Sequence, residues 1–386
     1  MKSYNIENID LLILGQEKNS QTERLENFFK SKFNKIIVIS FSNIFEEKAK
    51  ISLKKYVNDK IVSVDEFAIK YVNNKNEIFI LINFFQLFIQ INRILKNKKI
   101  KIAIGIALFS SAICFYLKIR RRLNKYIYFC LDYYKPNNRI INKIYVFFTH
   151  LLDVIVAYYS NKIWSISYRL AKLRNPSNLN RSLIVPNGCV KNNKTKNYNF
   201  SSKKIVFVGT ISENQALLQL CEILKKLNRR LGVTLDIVGS GPYKGLIEKK
   251  VLQLKLGNIV KFHGFIESND ELNLIIQNAA ICFSVWTKAI DDNSSLADPG
   301  KPKLYTSQNR PMIISENVYI SKFIKKFDAG LVVNSTKKEM YKALKVFFSS
   351  KSRRKKILKN VEIIKKMWES EKILNRAFNN INLIKQ

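Results

Sequence analysis

Three glycine-punctuated stretches in the carboxyl-terminal half hold the residues whose types and spacing suit chemistry. VFVG ends at Gly209 and is followed by Thr210; LDIVGSGP contains Gly239, Ser240, Gly241 and Pro242; KFHGFI contains Gly264, Phe265 and Ile266. Each follows a short apolar, β-branched run of the kind buried on both faces of a parallel sheet. In such sheets ligands gather at the carboxyl ends of the strands, where helix amino termini offer unpaired N–H groups to anions. Glycine lets backbone approach a pyrophosphate or a base closely, and Pro242 suits the first turn of a helix. The chemistry these residues suggest is recognition of a phosphorylated ligand. A turn serving only to end a strand would look the same in any one of the three.

The elements that must position these turns alternate along the whole chain. In the first half, strands are expected at Asp10–Leu14, Lys35–Ser40, Ile100–Ala107, Tyr126–Leu131, Lys162–Ile166 and Leu183–Val185, with helices at Glu23–Phe33, after Ser110-Ser111, and at Ile141–Ser160. In the second half the strands are Lys203–Val208, Thr234–Val238, Ile259–Phe262, Ile281–Val285, Met312–Ser315 and Gly330–Val333. Helices are expected at Gln215–Leu231, Tyr243–Leu256, Asp270–Ala280 and Lys301–Gln308, with a helical tail from Lys337 to Ile384. This alternation argues for α/β architecture with parallel sheets and crossover helices. The polar run CVKNNKTKNYNFSS after Gly188 reads as a linker. The domain reading is 1–187, a linker at 188–202, a second domain at 203–365, and a final helix at 366–386 that packs back on the first domain.

Composition narrows the classes. The 386 residues carry a net charge of +38, from 67 Lys and Arg against 29 Asp and Glu. Such an excess suits a polyanionic partner or a phosphorylated substrate, although a coding bias toward Lys, Asn and Ile codons produces it too. No RRM, zinc-finger or helix-turn-helix signature is present, so a nucleic-acid binder is not expected. The cysteines Cys114, Cys130, Cys189, Cys221 and Cys282 form no C-x-x-C pair and read as buried thiols of a reducing cytosol. With only His150 and His263, a histidine zinc site or a Ser-His-Asp triad has little to work with. His150 and Asp153, three apart on a helix, read as packing or surface residues. Asp291-Asp292 lacks the spacing of a D-x-D metal motif, and no metal is expected.

Met1–Asp10 is polar and mixed in charge, unlike a secretory leader. Ile78–Ile91 is interrupted by Asn83, Gln86 and Gln90 and reads as too short and polar to span a bilayer. Ile102–Leu117, at about 16 residues, falls below the roughly 20 that a spanning helix needs, and Gly105 with Ser110-Ser111 divides it into strand, turn and helix.

Order and spacing bring a resemblance into view. VFVGTISENQALLQLCEIL, then LDIVGSGPYKGLIEKKVLQLKLGNIVKFHGFIESNDELNLIIQNAAICFSVW, is similar to the donor domain of the glycosyl transferases group 1, the family-4-like retaining enzymes of the GT-B fold. SLIVPNGC resembles the stretch that closes their acceptor domain. The resemblance is strong over Ile184–Asn334 and diffuse before it. It implies two doubly wound Rossmann-like domains facing a cleft, with a nucleotide-diphosphate sugar held by the second.

On this resemblance Gly209, Thr210, Gly239, Ser240 and Gly241 line the nucleotide pocket, and Phe265 and Ile266 flank the base unless Phe265 is a core aromatic. Lys301 and Tyr305 match a K…Y variant of the helix facing the diphosphate, as in galactofuranosyl- and glucosyltransferase-like members, and Lys301 is the phosphate partner. Asn309 takes a glycine position, which its tolerance of positive φ permits. Two positions depart from the pattern. The glutamate that binds the ribose falls on Leu304, and the basic residues after the first strand's glycine are replaced around Thr210, Asn214 and Gln215. Asp298 is the nearest carboxylate to the sugar and a candidate for electrostatic stabilisation. Gly15 and Asp132, at strand ends of the first domain, are candidates to touch donor or acceptor, Asp132 being equally a turn residue.

The implied activity is transfer of a sugar from a UDP- or GDP-sugar to a glycan or lipid-linked acceptor in cell-surface polysaccharide synthesis, with retention and without cofactor or metal. The implied location is cytoplasmic and peripheral at the inner face of the plasma membrane, with the basic, aromatic-bearing Lys96–Lys125 against an anionic leaflet. The alternative is a non-catalytic GT-B-like subunit of a glycosylation complex, suggested by the two departures.

Overall fold

The computed structural model describes residues 7–17, 19–42, 49–72, 76–133, 135–174, 176–189, 195–287, 296 and 298–385. The chain divides into two compact units, Met1–Pro186 with Leu374–Gln386, and Asn187–Ile373.

In the first unit the described strands are β1 (Asn8–Gln16), β2 (Lys35–Phe41), β3 (Ala49–Val57), β4 (Lys60–Ile69), β5 (Lys99–Ile106), β6 (Leu123–Cys130), β7 (Lys162–Ser165) and β8 (Ser182–Ile184). They form one sheet in the order β4-β3-β2-β1-β5-β6-β7-β8. All pairs from β2 to β8 are parallel, while β3 and β4 add an antiparallel edge hairpin. The central strands β1, β5 and β6 are the continuous apolar runs, buried as double-sided coverage requires. The sequence reading leaves the β3–β4 hairpin unassigned. Its turn is Asn58-Asp59, both at positive φ (49° and 66°), the two-residue geometry that matches strand twist. β4 faces solvent along most of its length and therefore lacks the apolar run that marks the inner strands.

Helices α1 (Ser20–Phe29), α2 (Glu77–Ile94), α3 (Ala107–Ile119), α4 (Ile140–Tyr159) and α5 (Tyr168–Arg174) cover this sheet. The stretch 102–117 divides between β5 and α3. Gly105 makes that possible, since a Cβ there would lie 2.6 Å from the Ser111 Cα, and the Ser111 hydroxyl donates to the Gly105 carbonyl at 2.8 Å. α3 ends at Ile119 and β6 begins at Leu123, so the basic run after it is turn and strand rather than helix. α2 is longer than the 78–91 segment considered in sequence: its 18 residues and the 20 of α4 are both long and apolar enough to cross a membrane. Packing, not length, fixes them to this unit. In α2 the buried Asn83 accepts from the Val72 N–H (2.9 Å) and donates to the Val72 carbonyl (3.1 Å). In α4 the buried Asp153 accepts from Arg174 Nε at 2.9 Å and from the Tyr128 hydroxyl at 2.5 Å.

The second unit holds β9 (Lys204–Val208), β10 (Thr234–Val238), β11 (Val260–Gly264), β12 (Ile281–Ser284), β13 (Met312–Ser315) and β14 (Gly330–Val333). The sheet order is β11-β10-β9-β12-β13-β14, with every pair parallel. The chain builds outward from β9 in one direction and then from β12 in the other, which makes the β9–β12 boundary the topological switch point. Its helices are α6 (Leu217–Leu231), α7 (Lys244–Gln253), α8 (Asn269–Gln277), α9 (Gly300–Ser307), α10 (Ser321–Phe327), α11 (Lys337–Ser349) and α12 (Lys351–Met367). α6 shows the local logic. Leu217, Leu220, Cys221, Leu224 and Leu227 recur at helical spacing and are fully buried, and Gly232 stops the helix at φ 68° with its N–H on the Asn228 carbonyl. Asn309 does adopt positive φ, at 52°.

Residues read as linker make definite contacts within this unit. The Tyr198 hydroxyl donates to the Ala280 carbonyl at 2.8 Å, Arg354 donates to the Phe200 carbonyl at 2.6 Å, and Cys189 pairs in parallel with Glu369. The last helix, α13 (Ser370–Lys385), contributes to the first unit from Leu374 onward. There Phe378 meets the rings of Phe29 and Phe33, and Asn380 accepts from the Trp164 indole at 3.1 Å.

Candidate functional site

Because β9, β10 and β11 are parallel neighbours, their carboxyl ends lie on one edge of the second sheet. The glycine turns there are laced together by backbone. Gly209 N donates to the Val238 carbonyl (2.9 Å), Gly239 N to the Gly264 carbonyl (2.7 Å), Ile211 N to the Ser240 carbonyl (3.0 Å) and Tyr243 N to the Ile211 carbonyl (3.1 Å). The spacing leaves no room for side chains: a Cβ on Gly239 would lie 2.1 Å from the Gly209 carbonyl oxygen, and one on Gly241 2.3 Å from that of Ile211. Gly209 and Gly239 also hold φ of 134° and 127°, which L side chains rarely adopt. The amides of both glycines are used in the lacing. These residues therefore serve by close approach and shape rather than as anion donors.

The cation of the site comes from α9, roughly a hundred residues later. Lys301 reaches back to the switch point, its Cε 2.5 Å and its Nζ 3.2 Å from where a Gly209 Cβ would be. Its ammonium donates to Gln215 Oε1 at 2.7 Å and sits over the rings of Phe207 (4.2 Å) and Trp286 (5.4 Å). Burial lowers its pKa from the ordinary lysine value to about 7, with no carboxylate among the described residues opposing it. π faces and one amide oxygen are weak compensation for a desolvated ammonium, so the position favours an incoming anion. The walls are held rigidly: Ala216 N donates to the Val285 carbonyl, Thr287 N to the Asn214 carbonyl, and Trp286 N to Ser315 Oγ.

The sequence-derived residues sort clearly against this frame. Gly209, Thr210, Gly239, Ser240, Gly241 and Lys301 come together at the edge. Phe265 follows Gly264 on the same edge and is 75% exposed, so its ring is not a core aromatic; Ile266 packs partly against the core. Leu304 and Tyr305 lie on α9 beside Lys301. Leu304 packs on the core, while Tyr305 is fully buried, its hydroxyl accepting from Val208 N (3.0 Å) and donating to the Phe283 carbonyl (3.2 Å). Tyr305 therefore ties α9 to β9 and β12 and aims Lys301, a positioning role rather than ligand contact.

Asp298 lies where the chain enters α9. Its carboxylate is buried, accepts from Asn187 N at 2.6 Å and lies 3.6 Å from Lys303 Nζ. These contacts anchor the chain entering α9. Gly15 and Asp132 belong to the first unit. A Cβ on Gly15 would meet Thr22 Oγ1 at 2.4 Å, so the glycine lets α1 pack on β1. Asp132 is exposed at the end of β6 and its carbonyl accepts from Arg174.

Sequence reasoning missed Phe207 and Trp286, which read only as strand and loop residues, and saw Gln215 only as a lost lysine. The signal available was that Gln215 stands where the pattern has a basic residue, while Lys301 supplies one from α9. Among the described residues no group of three or more His, Cys, Asp or Glu is placed to hold a metal, and Asp291-Asp292 lie outside the described residues.

Residues 191–285 match the family model described as Glycosyl transferases group 1. No curated protein matches the sequence. Among solved structures, HepE of Anabaena in complex with UDP superposes with a TM-score of 0.68 at 11% identity, covering 97% of this chain and 100% of that one. Sucrose-phosphate synthase from Thermosynechococcus elongatus gives 0.71 at 11% identity, with 98% and 99% covered. A glycosyltransferase from Rickettsia africae gives 0.63 at 15% identity, with 98% of each chain covered. At such identities the likeness establishes the fold, which is GT-B.

Proposed function

We propose that the chain, whose residues 191–285 match the glycosyl transferases group 1 model on a GT-B scaffold, is a glycosyltransferase whose donor is a UDP- or GDP-sugar bound at the glycine edge of the second unit. The observation that carries this reading is Lys301, a desolvated ammonium at the switch point that meets Gln215 and two aromatic rings but no carboxylate among the described residues. A diphosphate placed there supplies the negative charge that the neutral Gln215 does not. As the bond between the anomeric carbon and the β-phosphate oxygen breaks, negative charge grows on the leaving nucleoside diphosphate. Lys301 meets that charge without reorganising, the contribution that dominates when a leaving group carries the charge. In this reading the ammonium, rather than a metal ion, does the neutralising. HepE was crystallised with UDP and with UDP-glucose, which supports a uridine donor.

The sugar passes to a glycan or lipid-linked acceptor of cell-surface polysaccharide synthesis, with retention at the anomeric carbon. The work is cytoplasmic, at an anionic membrane surface, where each lysine or arginine near the leaflet contributes about 1 kcal/mol. Calorimetric titration with UDP, GDP and their sugars tests the donor. Saturable binding with proton uptake near pH 7 is expected; no binding by any of them at millimolar concentration overturns the reading. A non-catalytic subunit remains the second reading, favoured by Leu304 in the ribose-glutamate position. Transfer or donor hydrolysis by the purified protein alone separates the two.

A further inference from the structure

The first unit carries a large apolar face that no described element covers. In α4 the residues Val146, Asp153, Val156 and Ala157 are buried on one side. The opposite side is a second apolar stripe at helical spacing, Ile141, Ile144, Phe147, Phe148, Leu151 and Tyr158, all exposed, with Phe147 at 66% and Phe148 at 60%. A core helix of a soluble protein hides its apolar residues; α4 shows most of its own to solvent. The amino-terminal half of α2 continues the face through Ile78, Leu81, Ile82 and Phe85, the last 64% exposed. The two helices are joined at their starts, where Asn142 Nδ2 donates to Glu77 Oε1 at 2.9 Å.

Charge says what covers this face. The acidic residues of the two helices, Glu77 and Asp153, are both buried and bonded, so the exposed stripe carries no negative charge. Cations flank it at both ends. Arg139 and Lys143 stand at the start of α4, and at its far end Lys118 donates to the Tyr159 carbonyl (3.0 Å) and Arg181 to the Tyr158 carbonyl (3.2 Å). A second copy of the chain would bring this same cationic rim, on a molecule of net charge +38, against itself. An anionic bilayer offers apolar interior and negative headgroups together. A helix with an apolar stripe, interfacial aromatics and basic flanks lies in the plane of such an interface. Spanning is ruled out by the other side of α4, because crossing would pull Asp153 from Arg174 and Tyr128.

We propose that the exposed faces of α2 and α4 insert shallowly into the interfacial layer of an anionic membrane. This extends the membrane placement above to a particular face and stands on residues separate from the donor site. The test is co-sedimentation of the full chain with vesicles of phosphatidylcholine mixed with phosphatidylglycerol, beside UDP titration of the same preparations. The wild type is expected to bind, with high salt weakening but not abolishing the binding. The double variant Phe147→Glu/Phe148→Glu should lose about 100-fold in vesicle partition, and Phe85→Glu about tenfold. Both should keep the wild-type circular dichroism and UDP affinity, since these side chains support nothing inside the fold. Unchanged vesicle binding by the double variant overturns the proposal, as does complete release by salt. A wild type that ignores vesicles but dimerises through Phe147 and Phe148 would assign the face to a second copy instead. Loss of UDP binding in the wild type would sink the donor reading and leave this one standing.

Discussion

The strand ends of the two units meet the same problem, leaving a buried parallel sheet for a helix, and solve it with different residues. In the first unit the space beside Gly15 is taken by Thr22 and Ile106. The turn after β5 is closed by Ser111 on Gly105. Among the described residues, every glycine at positive φ lies in the second unit: Gly209, Gly232, Gly239 and Gly264. Three of these stand at neighbouring strand ends, and the space beside Gly209 is taken by a lysine. One edge is filled by its own side chains; the other is kept thin and given a buried lysine held by Gln215 and aromatic rings. A doubly wound sheet therefore supplies a place for an anion, and the residues at its strand ends decide whether the place stays open.

The comparison breaks most readily at Gly239. Gly239→Ala drives a Cβ into the Gly209 carbonyl at a φ of 127°, and should cost about 3 kcal/mol of stability with more than about 100-fold loss of UDP affinity, read by thermal melts and calorimetry. Lys301→Met comes next, with UDP affinity falling by about 10- to 100-fold, the worth of a charged hydrogen bond. The same variant should melt higher than wild type at neutral and lower pH. The folded pKa of Lys301, about 7, lies below the unfolded 10.5, so its burial penalty is complete below about pH 7 and fades as pH rises toward 10.5. A melting gain that does not shrink over that window would place the ammonium elsewhere. In the wild type the affinity for UDP should fall about tenfold per pH unit above 7, because binding must then recruit a proton, and the dependence should vanish in Lys301→Met. The smallest effect is expected in the filled edge. Gly15→Ala asks the Thr22 and Ile106 side chains to give way but no backbone, so about 1 kcal/mol of stability should go while UDP affinity stays within about twofold. A large loss of donor binding there would erase the distinction between the units.

Legibility in the sequence followed burial. The inner strands of both sheets are continuous apolar runs ended by glycine or polar turns, and β10, β13 and β14 fall on the residues their patterns mark. The solvent-facing hairpin β3–β4 carries no such run and escaped notice. Asn309 could be assigned from its neighbours because a left-handed residue before Pro311 admits few residue types. The site was legible only where the backbone itself makes it. Glycines announce close approach, but the aromatic pair around Lys301 and the inward turn of Tyr305 depend on how α9 seats on β9 and β12. Asp298 looked catalytic because a carboxylate near a sugar position suits the chemistry; its partners Asn187 and Lys303 appear only once the chain is folded.

What the sequence determined alone is the alternation of elements, the parallel sheets and the edge at which glycines end neighbouring strands, since all of these follow from local pattern and chain sterics. Tertiary structure decided which side chains face that edge and which face of α4 is left uncovered. Both depend on contacts between residues far apart in the chain: Lys301 on Gln215 at the edge, and Asp153 on Arg174 and Tyr128, which fixes the face α4 turns inward.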